Sequence, residues 1–163
     1  MEVVAATAIA AFALVAFSQA GVLALRLLNS QKRTLEATLL AQEGIEAARL
    51  IRDGSWTDIA SLTDADNPSL IYYPVIQNGV WVLTRSSPGL INGVHDRYVQ
   101  FERVGRDGLD RIVFTGGTDD PGTRRVIAHA VSTGADVAIT SYLTNFQSVV
   151  TPPGDTVSVS NTD

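Results

Sequence analysis

Residues 3–25 read VVAATAIAAFALVAFSQAGVLAL, and this run constrains the fold more than any other feature of the chain. It carries no charge, and Thr7, Ser18 and Gln19 are its only polar side chains. Removing one large apolar side chain from water is worth about 1.5–3 kcal/mol, so a stretch of this kind demands lipid or a protein core around it. As an α-helix, about 23 residues span roughly 35 Å, enough to cross the hydrocarbon layer of a bilayer. Membrane residence at some stage is the expectation.

Three readings compete for the run. A cleaved signal peptide calls for a basic start and a short apolar stretch, whereas this chain opens on Met1-Glu2 and the run is too long. A single-pass anchor is the second; under the positive-inside bias Arg26, Lys32 and Arg33 would hold the C-terminal side in the cytoplasm. The third is a processed precursor whose basic leader has been removed, which accounts for an apolar helix that begins with a carboxylate and no cation. Glu2 is the telling residue. An ionised carboxylate at the edge of a hydrocarbon layer is costly unless it is paired. It either faces interfacial water or bonds the free N-terminal amine of a neighbouring copy, at a helix end that favours negative charge. Desolvated inside a fibre, such a pair would set the stagger between copies more than it would add stability.

The helix is expected to continue. Residues 29–52, NSQKRTLEATLLAQEGIEAARLIR, are good helix formers apart from Gly44. Ala37, Leu40, Ala41, Gly44, Ala47, Ala48 and Ile51 recur at helical spacing on one face, with Lys32, Glu36, Glu43, Glu46 and Arg49 on the other. That small-residue stripe suits close packing on a sheet. Lys32–Glu36 and Glu46–Arg49 offer surface ion pairs of about 0.3–0.5 kcal/mol each. Asp53-Gly54 reads as the stop. Unbroken, the element is about 50 residues and roughly 75–80 Å long. Its weak point is Ser18-Gln19-Ala20-Gly21, since Gly21 costs about 1 kcal/mol relative to alanine. The helix is either continuous there or melts locally on leaving the membrane.

After Trp56 the apolar period changes to two. Leu70–Ile76 and Val80–Thr84 flank Gln77-Asn78-Gly79, a hairpin signal. Tyr98–Val104 and Leu109–Thr115 flank Gly105-Arg106-Asp107-Gly108; Arg125–Ser132 and Val137–Leu143 flank Thr133-Gly134-Ala135-Asp136. These segments predict an antiparallel sheet with one face on the amphipathic half of the helix. Pro74 marks an edge strand or a bulge. Residues 151–163, TPPGDTVSVSNTD, form either a frayed tail or, since TVSVS alternates, an arm that adds a strand to a neighbouring copy.

Composition excludes several functions. The sequence has 163 residues, so only about a hundred remain for a head with one small core. Net charge is −5 and no basic run is interleaved with aromatics, so no specific nucleic-acid partner is expected. With no cysteine, disulfides and thiolate chemistry are excluded. His95 and His129 are the only histidines; His95-Asp96 has no accompanying nucleophile motif, and His129 lies on a predicted strand as a surface or pairing residue. Asp64, Asp66 and Asn67, or Asp119 and Asp120, lack the spacing of a calcium loop and read as solvated loops. Gly116-Gly117 lacks the lysine and helix of a phosphate loop. No cofactor, metal or catalysis is expected.

Three stretches resemble type IV pilins and related pilin-like proteins: the apolar start MEVVAATAIAAFALVAF, the helix-to-head passage LLAQEGIEAARLIRDGSW at residues 39–56, and the closing strand SYLTNF at residues 141–146. Two features depart from the family pattern. The glutamate lies three residues nearer the start than is usual, and the proline that often kinks the family helix is absent. The resemblance implies an α+β fold, with a long N-terminal helix packed on a small antiparallel β-sheet head. Its apolar half would be 1–28 within a helix of 1–54, with a head at 55–150 and a polar tail at 151–163. It also implies prepilin-peptidase processing, N-methylation of the first residue, and assembly by membrane-bound, ATPase-driven machinery into an extracellular homopolymeric pilus. Before assembly the chain would sit in the bilayer. Met1 and Glu2 would direct assembly. Val3, Val4, Ile9, Phe12, Leu14 and Phe17 would pack the fibre core, and Ser18, Gln19 and Gly21 would mark the melting point. Adhesion, motility or DNA uptake are the implied roles. A minor pilin, a type II secretion pseudopilin and a single-pass anchored binding module are the alternatives.

Overall fold

The structure, a computed structural model, describes residues 2–62, 70–113 and 116–146. One helix dominates it. α1 (Glu2–Gly54) runs unbroken for 53 residues. Several hydroxyl groups along it bond the helix backbone: Thr7 Oγ1 donates to the Val3 carbonyl at 3.0 Å, Ser18 Oγ to Leu14 at 2.9 Å, and Thr38 Oγ1 to Thr34 at 2.8 Å. Gly54 is the last helical residue, but it does not adopt the left-handed conformation expected of a glycine stop. The turn comes instead at Ser55, extended at φ −160° and ψ 115°, which leads into a second helix absent from the sequence reading, α2 (Trp56–Ala60). Ile59 on that short helix is fully buried, so core contact rather than propensity explains the element.

The head is α+β with antiparallel sheets, as expected, but there are two sheets rather than one. β1 (Tyr73–Gln77) and β2 (Val80–Thr84) form a hairpin by themselves. Asn78 and Gly79 both have positive φ, 53° and 80°, the geometry of the tight turn that the Asn-Gly pair signals. Tyr72 bridges to Val99 of the main sheet, and Pro74 sits in β1 opposite Leu83. The main sheet runs β4-β3-β5-β6, from β3 (Asp96–Arg106), β4 (Ile112–Val113), β5 (Thr118–Ser132) and β6 (Ala135–Thr144).

Two hairpins differ from the sequence reading. The third turn is only Thr133-Gly134, because Ser132 pairs directly with Ala135 and Gly134 takes φ 91°. In the second, Leu109–Arg111 is loop rather than strand. The Asp107 carboxylate captures the Leu109 and Arg111 amides at 2.9 and 3.0 Å and the Arg111 side chain at 2.8 Å, closing a local turn that outcompetes the ladder. Those bonds, the Arg111 backbone amide first, hold the Asp107 carboxyl below its usual range. β4 correspondingly begins at Ile112, and the main partner of β3 is β5, which begins at Thr118 rather than Arg125.

The core forms where α1 crosses the main sheet. Ala37, Ala41, Ile45 and Ala48 pack on Val99 and Phe101 of β3, Val126, Ala128 and Ala130 of β5, and Leu143 of β6. Ile45 belongs to this face although the stripe reading omitted it. Small residues let the helix lie close to the sheet: a Cβ added at Gly44 would stand 3.1 Å from the Ala128 Cβ.

Candidate assembly interface

Every residue of α1 from Glu2 to Leu35 is exposed, while the stretch from Ala37 onward supplies the helix's share of the core. The division between a free half and a head-carrying half thus falls within one continuous helix. At 1.5 Å per residue the free half projects about 50 Å from the head. It is the one helix among the described residues long and apolar enough to cross a membrane, and none of its most apolar stretch is buried. Phe12 and Phe17 are each 79% exposed and Leu14 70%. Val3, Val4 and Ile9 are also exposed, and together these side chains point around the whole circumference. A helix apolar all round is one that a larger assembly or a bilayer buries.

The apolar surface does not stop at the head. Phe17, Leu28, Leu35, Leu39 and Leu50 are exposed and lie within about 60° of one another by helical phase, on the side opposite Ala41 and Gly44. One flank of α1 is therefore covered by its own sheet, and the other presents these apolar side chains interspersed with the charged Lys32 and Glu46, which fall in the same arc. Leu39 and Leu50 on that flank were not singled out from sequence, although they stand at helical spacing from the apolar run.

Glu2 opens α1 and is exposed, at the helix end where unsatisfied N–H groups favour negative charge. Met1 lies outside the described residues. Ser18, Gln19 and Gly21 sit within unbroken helix; Ser18, Gln19, Val22, Leu23 and Arg26 line a shallow groove, and nothing approaches within 4 Å of a Cβ built on Gly21. With the Ser18 hydroxyl already bonded to Leu14, the Gln19 amide is the main polar group of this stretch left for water or a partner.

Polar clamps lock the helix to the head on both flanks of the alanine stripe. Arg33 donates to the Thr133 carbonyl at 2.9 Å, the Glu36 carboxylate lies 3.3 Å from His95 Nε2, and Glu43 pairs with Arg97 at 2.6 Å. Glu36 and Glu43 therefore turn towards the head rather than away from it. Lower down, Arg49 reaches Ser141 at 3.4 Å, and the Arg52 guanidinium stacks over Phe146 with 5.0 Å to the ring centroid. The ion pairs Lys32–Glu36 and Glu46–Arg49 form as expected.

His95 is fully buried, and its Nδ1 has no hydrogen-bond partner among the described residues. His129 stacks on Tyr98, its cross-strand partner, at 4.8 Å between centroids. Burial, and then the Asp136 and Asp96 charges, push the Tyr98 phenol above its ordinary range. Neither histidine stands with a nucleophile in the contacts described. Asp119 and Asp120 lie in β5, not in a loop, because Gly105 and Arg106 extend β3 to pair with that strand. Burial alone would raise the Asp120 carboxyl; bonds from Thr123, Arg106 (2.7 Å) and the Gly122 amide (2.9 Å) outweigh it and hold the group below its usual range. No group of three or more metal-ligating side chains occurs among the described residues. Asp64, Asp66 and Asn67 lie outside them, as does the tail at 151–163.

An apolar cleft of about 360 Å³ lies between the β1–β2 hairpin and α1, lined by Leu40, Pro74, Ile76, Trp81, Pro88 and Ile91. Arg97 forms its polar end, bonded to Glu43 and to the Pro74 carbonyl at 3.0 Å and stacked on Trp81 at 5.4 Å. Arg97 escaped sequence reading because its partners lie on three separate segments, and no local pattern joins them. The architecture, a long apolar N-terminal helix packed on an antiparallel sheet, is pilin-like. Comparison with protein families, curated proteins and solved structures finds no match for the chain.

Proposed function

We propose that the chain is a structural subunit of an extracellular type IV pilus filament, polymerising through α1, with adhesion, motility or DNA uptake as the role of the fibre. The observation that carries this reading is the helix, exposed from Glu2 to Leu35 and uncharged and almost wholly apolar over residues 3–25, continuing into a head that leaves Leu39 and Leu50 exposed on the far flank. Before assembly the same surface suits the bilayer. In the fibre, neighbouring helices replace the lipid, Val3, Val4, Ile9, Phe12, Leu14 and Phe17 fill the core, and Glu2 pairs with the N-terminal amine of the next copy to set register. The polar clamps between α1 and the head support a load-carrying role, since they tie the fibre core to the outer surface. Inner-membrane assembly machinery is the implied partner. An enzymatic role has no support in the site geometry, and no cofactor is invoked. A second reading, a single-pass anchored binding module, draws on Arg26, Lys32 and Arg33 beside the apolar run and on the Trp81 cleft; a minor pilin or pseudopilin would use the same helix in a short fibre.

The test is to shear producing cells, pellet the supernatant and image it by electron microscopy, with the native chain and with Glu2→Ala. Thin fibres composed of this chain, strongly depleted in the variant, are expected. Retention of the native chain in the membrane fraction with no fibre would overturn the proposal in favour of the anchored module.

A further inference from the structure

β6 is the outermost strand of the main sheet and is ten residues long. Its sequence, ADVAITSYLT, holds no proline, lysine or arginine, and no bulge interrupts its pairing with β5. Ser132 and Ala135 close a two-residue turn as a hydrogen-bonded pair, so Ala138, Thr140 and Tyr142 turn their backbone N–H and C=O away from the sheet. Among the described residues, the backbone bond on that outer side of β6 is at its last residue, where the Phe146 amide donates to the Thr144 carbonyl at 3.1 Å, and none is made at Ala138, Thr140 or Tyr142. Natural sheets protect an edge of this length with charges, proline, a bulge or a covering segment. Here Asp136, beside the turn, is the lone charge.

A groove of about 360 Å³ runs beside this edge, walled by Gln42, Ile45, Glu46 and Arg49 of α1 and by Ile139 and Ser141 of β6. Ile45 and Ile139 are its large apolar side chains. It asks for an extended segment with small apolar residues at every second position.

One segment of the chain meets that description. Thr156-Val157-Ser158-Val159-Ser160 alternates, is uncharged, and places both valines on one face. Residues 145–155 join it to the end of β6 and contain Pro152-Pro153-Gly154, strong turn chemistry. A reversal at that sequence would bring the segment back antiparallel to β6, the pairing used throughout the sheet. A short tether also gives the chain's own segment an effective concentration in the millimolar range, about 1 mM or more, which a free second copy does not reach. We propose that residues 156–160 add to the outer edge of β6 of the same chain, seating Val157 and Val159 in the groove and capping the edge against pairing with another copy. This inference is independent of whether the protein forms a filament.

Amide hydrogen exchange of the full chain in detergent micelles tests it, read at Ala138, Thr140 and Tyr142. The comparison proteins are the full-length double variant Val157→Asp/Val159→Asp and a chain ending at Val150. Exchange at the three amides is expected to be about tenfold slower in the native chain than in either comparison protein, at every protein concentration. Equal rates in all three would overturn the proposal. So would protection that grows with protein concentration, which would place a second copy on the edge.

Discussion

Gly21 and Gly44 lie on the same helix, and replacing each by alanine makes opposite predictions. Helix propensity favours alanine over glycine by about 1 kcal/mol at either site. At Gly21 nothing lies within 4 Å of the new methyl, so the propensity gain is the whole effect. At Gly44 the methyl would stand 3.1 Å from the Ala128 Cβ and 3.4 Å from the Val99 Cγ1, inside the preferred carbon–carbon distance of about 3.5–4.0 Å. The Ala128 Cβ has no rotamer by which to retreat, so helix and sheet must separate along the whole alanine stripe. Overpacking of this kind costs about 1–3 kcal/mol, which exceeds the propensity gain or cancels it. A net loss of about 1 kcal/mol is expected, lowering the Tm of a head of this size by about 4–8 °C. Thermal unfolding followed by near-ultraviolet circular dichroism in detergent micelles reads the head directly. Hydrogen exchange at residues 19–24 reads Gly21→Ala, which should slow it. If Gly44→Ala raises the Tm, the close helix–sheet approach is not a constraint and the packing argument fails.

Leu143→Ala, at a fully buried position on β6, should destabilise the head by about 2–5 kcal/mol in urea unfolding. Arg97→Ala removes the Glu43 pair, the Pro74 carbonyl bond and the stack on Trp81, and should cost about 1–3 kcal/mol while changing the tryptophan fluorescence. The depressed Asp120 carboxyl contributes stability that is complete above its unfolded pKa of about 3.9 and is lost as pH falls through the lower folded value. Stability measured against pH should therefore fall less steeply below about pH 4 in Asp120→Asn than in the native chain.

What could be read in advance follows from how local each signal is. The run at residues 3–25 and the repeat of Ala37, Ala41, Gly44 and Ala48 are periodic within a few turns, so the long helix and its packing face were both legible. Asn78-Gly79 likewise placed one hairpin through turn chemistry alone, and the stretch Thr133–Asp136 placed another, although Ala135 and Asp136 proved to be strand. The start of β5 was not legible, because residues 118–124 become strand only by pairing with the end of β3, across a register shift between Arg103 and Gly105. α2 was missed for a similar reason, since five residues have no helical stability of their own and Ile59 holds them through the core.

The sequence by itself determined that this chain carries an apolar helix too long for its own head to cover, because hydrophobicity along a segment needs no knowledge of what lies beside it. Which flank the sheet covers, that Glu36 and Glu43 reach inward to His95 and Arg97, and that β6 stands at the outer end of the main sheet were decided only in three dimensions. Those features join residues tens of positions apart, and their energies exist only once the chain has closed the loops between them.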